Sequence, residues 1–151
     1  MSDTPTLFDK IVDGTIPSRK VWEDDRYVAF LTPFPNTPGF TVVVPKQNPG
    51  DNFLDVTDDA YAGLLLAAKK VARLLRKGLN VERVGLVIEG EAVPHLHVKL
   101  IPMHGLDKPS STAPQPAFYA TYPGYLSTAE GPAMDAAVLD EIQAKIRKAA
   151  A

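Results

Sequence analysis

Apolar positions along the chain fall into short blocks whose period switches between that of a helix and that of a strand. Leu7, Phe8, Ile11 and Val12 lie at helical spacing, and Asp13-Gly14 and Ile16-Pro17 end that piece. Lys20 to Glu23 and Tyr27 to Leu31 read as strands joined by the tight turn Asp24-Asp25-Arg26, a hairpin. Pro33, Pro35 and Pro38 cannot donate to a sheet ladder, so residues 32–39 form a loop of restricted shape. Phe40 to Pro45 is β-branched and apolar, as a buried strand is. After a connecting loop over 46–56, Thr57 caps a helix with Asp58 and Asp59 in its first turn. Tyr61, Leu64, Leu65, Ala68, Val71, Ala72 and Leu75 are its apolar stripe, Lys69, Lys70, Arg73, Arg76 and Lys77 its wet face, and Gly78 its expected C-cap. Val81 to Glu89 reads as a strand, Gly90-Glu91-Ala92 as a short turn, and Val93 to Met103 as the antiparallel return. Residues 105–131 are rich in Pro, Ser, Thr, Ala and Tyr and are expected to lie as an extended arm over the surface or a neighbour. Met134 to Ala151 is a last helix with Val138, Leu139, Ile142 and Ile146 as its stripe. The fold class is therefore α+β: an antiparallel sheet of about five strands with one long helix on a face, plus a short N-terminal and a C-terminal helix.

Composition narrows this little. At 151 residues, 45% hydrophobic and 23% charged, the chain is an ordinary globular size and mix. A net charge of −2 gives no broad cationic surface, so no nucleic acid is expected as partner and any anion recognition must be local. The absence of cysteine removes disulfides, thiol chemistry and cysteine zinc sites. The polar, acidic start Met1-Ser2-Asp3 lacks the pattern of a signal peptide, and no apolar run approaches the roughly 20 residues of a membrane span. A cytoplasmic location without membrane contact is the expectation.

The candidate chemistry sits in Val93-Pro94-His95-Leu96-His97-Val98-Lys99-Leu100. Period-two alternation places Leu96, Val98 and Leu100 on one face and His95, His97 and Lys99 on the other, roughly 6.5–7 Å apart. The chain's three histidines, His95, His97 and His104, all fall in or just beyond this stretch. A neutral imidazole is a competent nucleophile toward phosphorus near pH 7. It needs its other N–H held by an acceptor, donors for the phosphate oxygens and a proton for the leaving group. A lysine on the same face supplies positive charge for a phosphate. Two histidines on a strand are also a common partial metal-ligand set, but that lysine repels a cation, and no metal or cofactor is expected.

These residues resemble the motif of the histidine triad (HIT) family, His-φ-His-φ-His-φ-φ with φ apolar. The likeness extends to Phe8-Asp9-Lys10-Ile11 through Ile16-Pro17, to Glu23 through Phe30, and to Pro35-Asn36-Thr37-Pro38-Gly39-Phe40 through Lys46. The resemblance implies a homodimer of α+β fold that binds purine nucleotides and hydrolyses phosphoramidates or dinucleoside polyphosphates through a nucleotidyl-histidine. It implies a HIT-like domain over residues 1–110; residues 111–151 lie outside the resemblance and are expected, from composition and periodicity, to be an arm and helix packed on that domain or on the dimer partner. By position, His97 matches the nucleophile and His95 the first motif histidine. Phe8, Ile11 and Ile16 match the wall around the base. Leu31 falls beside the ribose position and Thr32 at it, Phe30 is a further substrate-binding candidate, and Gly90 and Glu91 fall in the loop approaching the phosphate. His104 is expected to fold back as a proton donor.

The departures from the family pattern are specific. Lys99 stands where the third histidine is expected, and Thr32 where a carboxylate usually binds ribose. Phe40, Asn48, Ile88 and Ala92 occupy further positions that usually carry polar side chains. An enzyme acting at phosphorus is the leading expectation. A nucleotide- or phosphate-binding protein with little or no catalysis is the alternative, and a dimeric interaction module a further one.

Overall fold

The structure is a computed structural model that describes residues 4–108 and 133–150. The elements, in order, are α1 (Leu7–Val12), β1 (Arg19–Glu23), β2 (Tyr27–Leu31), β3 (Thr41–Pro45), α2 (Asp58–Gly78), β4 (Arg83–Val87), β5 (Val98–Met103) and α3 (Ala136–Lys148). The five strands form one sheet in the order β1-β2-β3-β5-β4, with every neighbouring pair antiparallel. The α+β architecture expected from the periodicities is the one observed. Most of the arm expected over 105–131 lies outside the described residues.

The β1–β2 turn forms because the Asp24 carboxylate accepts from the backbone N–H of Arg26 and of Tyr27, both at 2.8 Å. The two faces of the sheet are then covered differently. One face meets α2, whose Leu64, Ala67, Ala68, Val71 and Leu75 are buried with Ala29, Leu31, Val43, Leu96, Val98 and Leu100. Leu139, Ile142 and Ile146 of α3 join the same cluster. The other face is closed by α1, where Phe8 and Ile11 pack with Val28, Phe30, Phe40, Val42 and Val44. Strand β2 is buried at every position, which explains why Tyr27–Leu31 reads as a continuous apolar run.

The helix α2 differs from its expected stripe at the edges. Tyr61 is exposed and stacks on Phe53 with ring centroids 5.9 Å apart, and Ala67 takes a core position instead. Gly78 is not the cap. It is the last helical residue, Leu79 is the C-cap, and Asn80 takes the left-handed conformation at φ 51°. Glycine is needed at 78 for a close approach: a Cβ there would lie 2.7 Å from the carbonyl oxygen of Lys145 and 2.9 Å from Cα of Ile146.

The largest correction concerns the β4–β5 connection. The expected tight turn at Gly90-Glu91-Ala92 is in fact a ten-residue connection, and β5 begins at Val98 rather than Val93. The reason is backbone bonding. Pro94 has no N–H to give a ladder. The N–H of His95 turns back to the carbonyl of Val93 at 2.7 Å, and that of Leu96 goes to Gly50 at 2.7 Å. The Asn48 side-chain amide donates to the carbonyl of Pro94 at 2.9 Å. Gly90, at φ +70°, sits where a side chain would run into the Asp51 backbone. The chain thus bends through residues 92–95 and joins the sheet ladder only at Val98. Side-chain alternation survives the loss of pairing: Leu96, Val98 and Leu100 face α2, while His95, His97 and Lys99 face α1. That second face is also shut away from water, with His95 0% and His97 2% exposed.

Candidate active site

Between α1 and the sheet lies an apolar cavity of about 260 Å³. Phe8 and Ile11 of α1, Ile16 of the following loop, Phe30 and Leu31 of β2, Phe40, and Val42 of β3 supply its walls. His97 and Lys99 close one end, and Thr32, Pro33, Phe34 and Arg19 lie on its lining elsewhere. Phe30, Val42 and Lys99 are cross-strand neighbours in register, so three strands deliver them to one row of the face.

His97 is held from two sides. The Phe8 ring meets it edge-on with centroids 4.9 Å apart at 74°. Its Nδ1 lies 2.8 Å from the carbonyl oxygen of His95. A carbonyl only accepts, so Nδ1 carries the proton, and Nε2 of the neutral ring keeps its lone pair. Burial pushes the His97 pKa below its ordinary value. The His95 carbonyl contact opposes this, and the Lys99 charge adds to it. The ring is therefore neutral near pH 7, with a defined tautomer and a nitrogen free to act as a nucleophile.

His95 lies behind this group rather than on the cavity lining. Its Nε2 is 2.7 Å from the Pro45 carbonyl and its Nδ1 3.1 Å from the Thr6 hydroxyl. Burial also lowers its pKa, against the opposing pull of the Pro45 carbonyl and the Asp9 carboxylate. Lys99 does not present a bare ammonium to the cavity: its Nζ donates to the Glu89 carboxylate. The sequence pattern places Glu89 at the end of a strand; in the structure β4 ends at Val87 and Glu89 lies in the connection, from which its carboxylate reaches Lys99 on β5.

The remaining expected residues are placed elsewhere. Gly90 is buried against Asp51, and Glu91 is exposed; neither lines the cavity. His104 does not fold back. It is exposed, with Nε2 2.8 Å from the Pro38 carbonyl, which claims that ring nitrogen. Thr32 is on the lining, where its hydroxyl accepts from the Phe34 N–H at 3.2 Å. Arg19, Phe34 and Thr6 were not singled out from the sequence. Thr6 had a visible signal in Thr6-x-x-Asp9, the spacing of a capping box. Among the described residues, no group of three or more His, Asp or Glu side chains is arranged to hold a metal ion.

A family model described as the HIT domain matches residues 13–106. The chain belongs to the HIT family. Among HIT relatives, adenylylsulfatase HINT1 of Arabidopsis thaliana is 38% identical over 109 residues, 66% of this chain and 72% of that one. The solved structure of a HIT-like protein involved in cell-cycle regulation from Bartonella henselae covers 99% of both chains with a TM-score of 0.70 at 27% identity. That of a HIT family hydrolase from Legionella pneumophila is 31% identical, covers 63% of this chain and 89% of its own, and has a TM-score of 0.55. The HIT match ends before α3 and begins after α1, so Phe8 and Ile11, which wall the cavity, are contributed from outside it. Lys99 falls inside the match, in the stretch His95-Leu96-His97-Val98-Lys99.

Proposed function

We propose that this HIT protein is a hydrolase acting on phosphorus-containing bonds of purine nucleotides, either nucleoside phosphoramidates or dinucleoside polyphosphates, through a nucleotidyl group on His97. The observation that carries this reading is the tautomer of His97. With Nδ1–H committed to the His95 carbonyl, Nε2 is an unprotonated nucleophile at the end of a cavity. The cavity supports the nucleotide class. Its aromatic and aliphatic walls suit a flat heterocycle, and its volume is near the lower end of ordinary ligand sites, about 300 Å³ upward.

The reaction balances as two displacements. Nε2 of His97 attacks phosphorus, an N–P bond forms, and the bond from phosphorus to the leaving nitrogen or oxygen breaks. The leaving group takes a proton, for which Lys99 Nζ is the candidate donor at this end of the cavity. Water then attacks phosphorus and gives a proton to the neutral Lys99 amine left by the first step, the N–P bond breaks, and the pair of electrons returns to Nε2. Until it gives up its proton, the Lys99 ammonium faces developing phosphate charge, oriented by Glu89. Steady-state turnover of an adenosine phosphoramidate tests this. His97→Ala is expected to abolish it, and unchanged turnover would refute the reading.

A second reading has its own observation. The Lys99 charge is already shared with Glu89, which favours a protein that binds nucleotide with slow or no chemistry. Tight nucleotide binding by calorimetry, with no product after long incubation, would select it. For assembly, we infer a homodimer. Strand β4 is an edge of the sheet in this chain, and Leu86 on it, paired with Leu100 of β5, is 46% exposed.

A further inference from the structure

Thr6 lies outside the segment that matches the HIT model, yet it is hydrogen-bonded to the first motif histidine. As the N-cap of α1, its Oγ1 accepts the N–H of Asp9 at 3.1 Å, while the Asp9 carboxylate accepts the Thr6 N–H at 2.8 Å. The same hydroxyl lies 3.1 Å from Nδ1 of His95. The other ring nitrogen, Nε2, faces the Pro45 carbonyl at 2.7 Å. A carbonyl can only accept, so Nε2 carries the proton and Nδ1 is bare. The Thr6 hydroxyl, its lone pair used by Asp9, is then the donor to Nδ1. One atom thus caps a helix and fixes a tautomer.

The arrangement is needed because a competitor is close. Oδ1 of Asp9 is 3.5 Å from the same Nδ1, and a carboxylate there favours a proton on that nitrogen. Among the described residues, Asp9 from α1 and the neighbouring His97 act electrostatically on His95, and the Pro45 carbonyl of β3 meets its Nε2. A donor at Nδ1 keeps the ring neutral against Asp9. A neutral, fixed His95 in turn holds the segment whose carbonyl receives the His97 Nδ1–H at 2.8 Å.

We propose that Thr6 is a positioning residue of the phosphorus site: its hydroxyl holds His95 as the neutral Nε2–H tautomer and so keeps the acceptor of His97 in place. This rests on His97 being the nucleophile. It makes α1, through one hydroxyl, part of the reacting assembly as well as a wall of the cavity.

Three variants separate this role from helix capping. Thr6→Ser keeps both functions. Thr6→Val removes both. Thr6→Asp caps a helix well but offers only acceptors to Nδ1, which draws a second proton onto His95. Imidazole ¹⁵N NMR reads the ring directly, and kcat and KM are read with an adenosine phosphoramidate. We expect wild type and Thr6→Ser to show His95 neutral with Nε2–H. Thr6→Asp should show it protonated at neutral pH, with kcat lowered by about tenfold or more and KM little changed, less than the loss of a full proton-transfer group. An Nδ1–H tautomer in the wild type would overturn the proposal even if Thr6→Val does not fold. So would Thr6→Asp matching Thr6→Ser in both spectrum and kcat. Turnover that survives His97→Ala would overturn the underlying reading and the positioning role with it. In that case the NMR result still states the tautomer, so the two failures are distinguishable.

Discussion

In the proposed reaction, His97 and its neighbours act one hydrogen bond at a time. Both buried rings are disfavoured as cations, so the unfolded chain binds more protons than the folded one below the ordinary histidine pKa near 6.5. Stability therefore rises with pH through the window below about 6.5 and is flat above it on this account. Thermal melts between pH 5 and 7.5 are expected to show Tm falling toward the acid end, with a smaller slope in His95→Asn. The acid limb of kcat/KM is expected below the usual histidine range, because protonating His97 removes the attacking lone pair. Lys99 is harder to replace than its surface counterparts, since its ammonium sits against Glu89. Lys99→Met is expected to lower kcat by about 10²–10⁴ as a lost donor, and adding Glu89→Gln should recover part of it by removing a carboxylate beside the phosphate position. Rates of the two single variants and the double variant check this.

At the scale of elements, much was legible before the structure. The stripe of α2, the β1–β2 hairpin and the buried β3 followed from periodicity, and the alternation through 95–100 correctly separated a core face from a histidine face. Periodicity could not show that Pro94 and the bonds to Val93 and Gly50 would unpair the approach to β5. Nor could it show that the histidine face is itself buried, because that depends on α1 folding over from far away in the chain. Glu89 and Thr6 were missed for the same reason: their partners are set by loop and cap geometry, not by spacing. Gly78 was read as a cap from a local rule, while the actual demand comes from α3 crossing at that point. Gly78→Ala is accordingly expected to destabilise by about 1–3 kcal/mol through overpacking, and Ile146→Ala by about 2–5 kcal/mol through the cavity it leaves. Denaturant midpoints would check both, with the α2–α3 contact loosened while His97 stays in place.

Across the whole molecule, the sheet separates two tasks. The α2 and α3 face carries the main core, and the α1 face holds the cavity with its single row of Phe30, Val42 and Lys99. No helix among the described residues is long and apolar enough to cross a membrane. The edge at β4 is where a second copy is proposed to join, and Leu86→Lys is expected to shift sedimentation toward monomer without unfolding the chain. The proposed function turns on what His97 does when a nucleotide fills the cavity. Intact-mass spectrometry of acid-free quenched mixtures with an adenosine phosphoramidate, followed by peptide mapping, measures it directly. A transient gain of one nucleoside monophosphoryl group on His97 is expected, absent in His97→Ala. Turnover with no adduct on that residue, or an adduct on a different side chain, would contradict it.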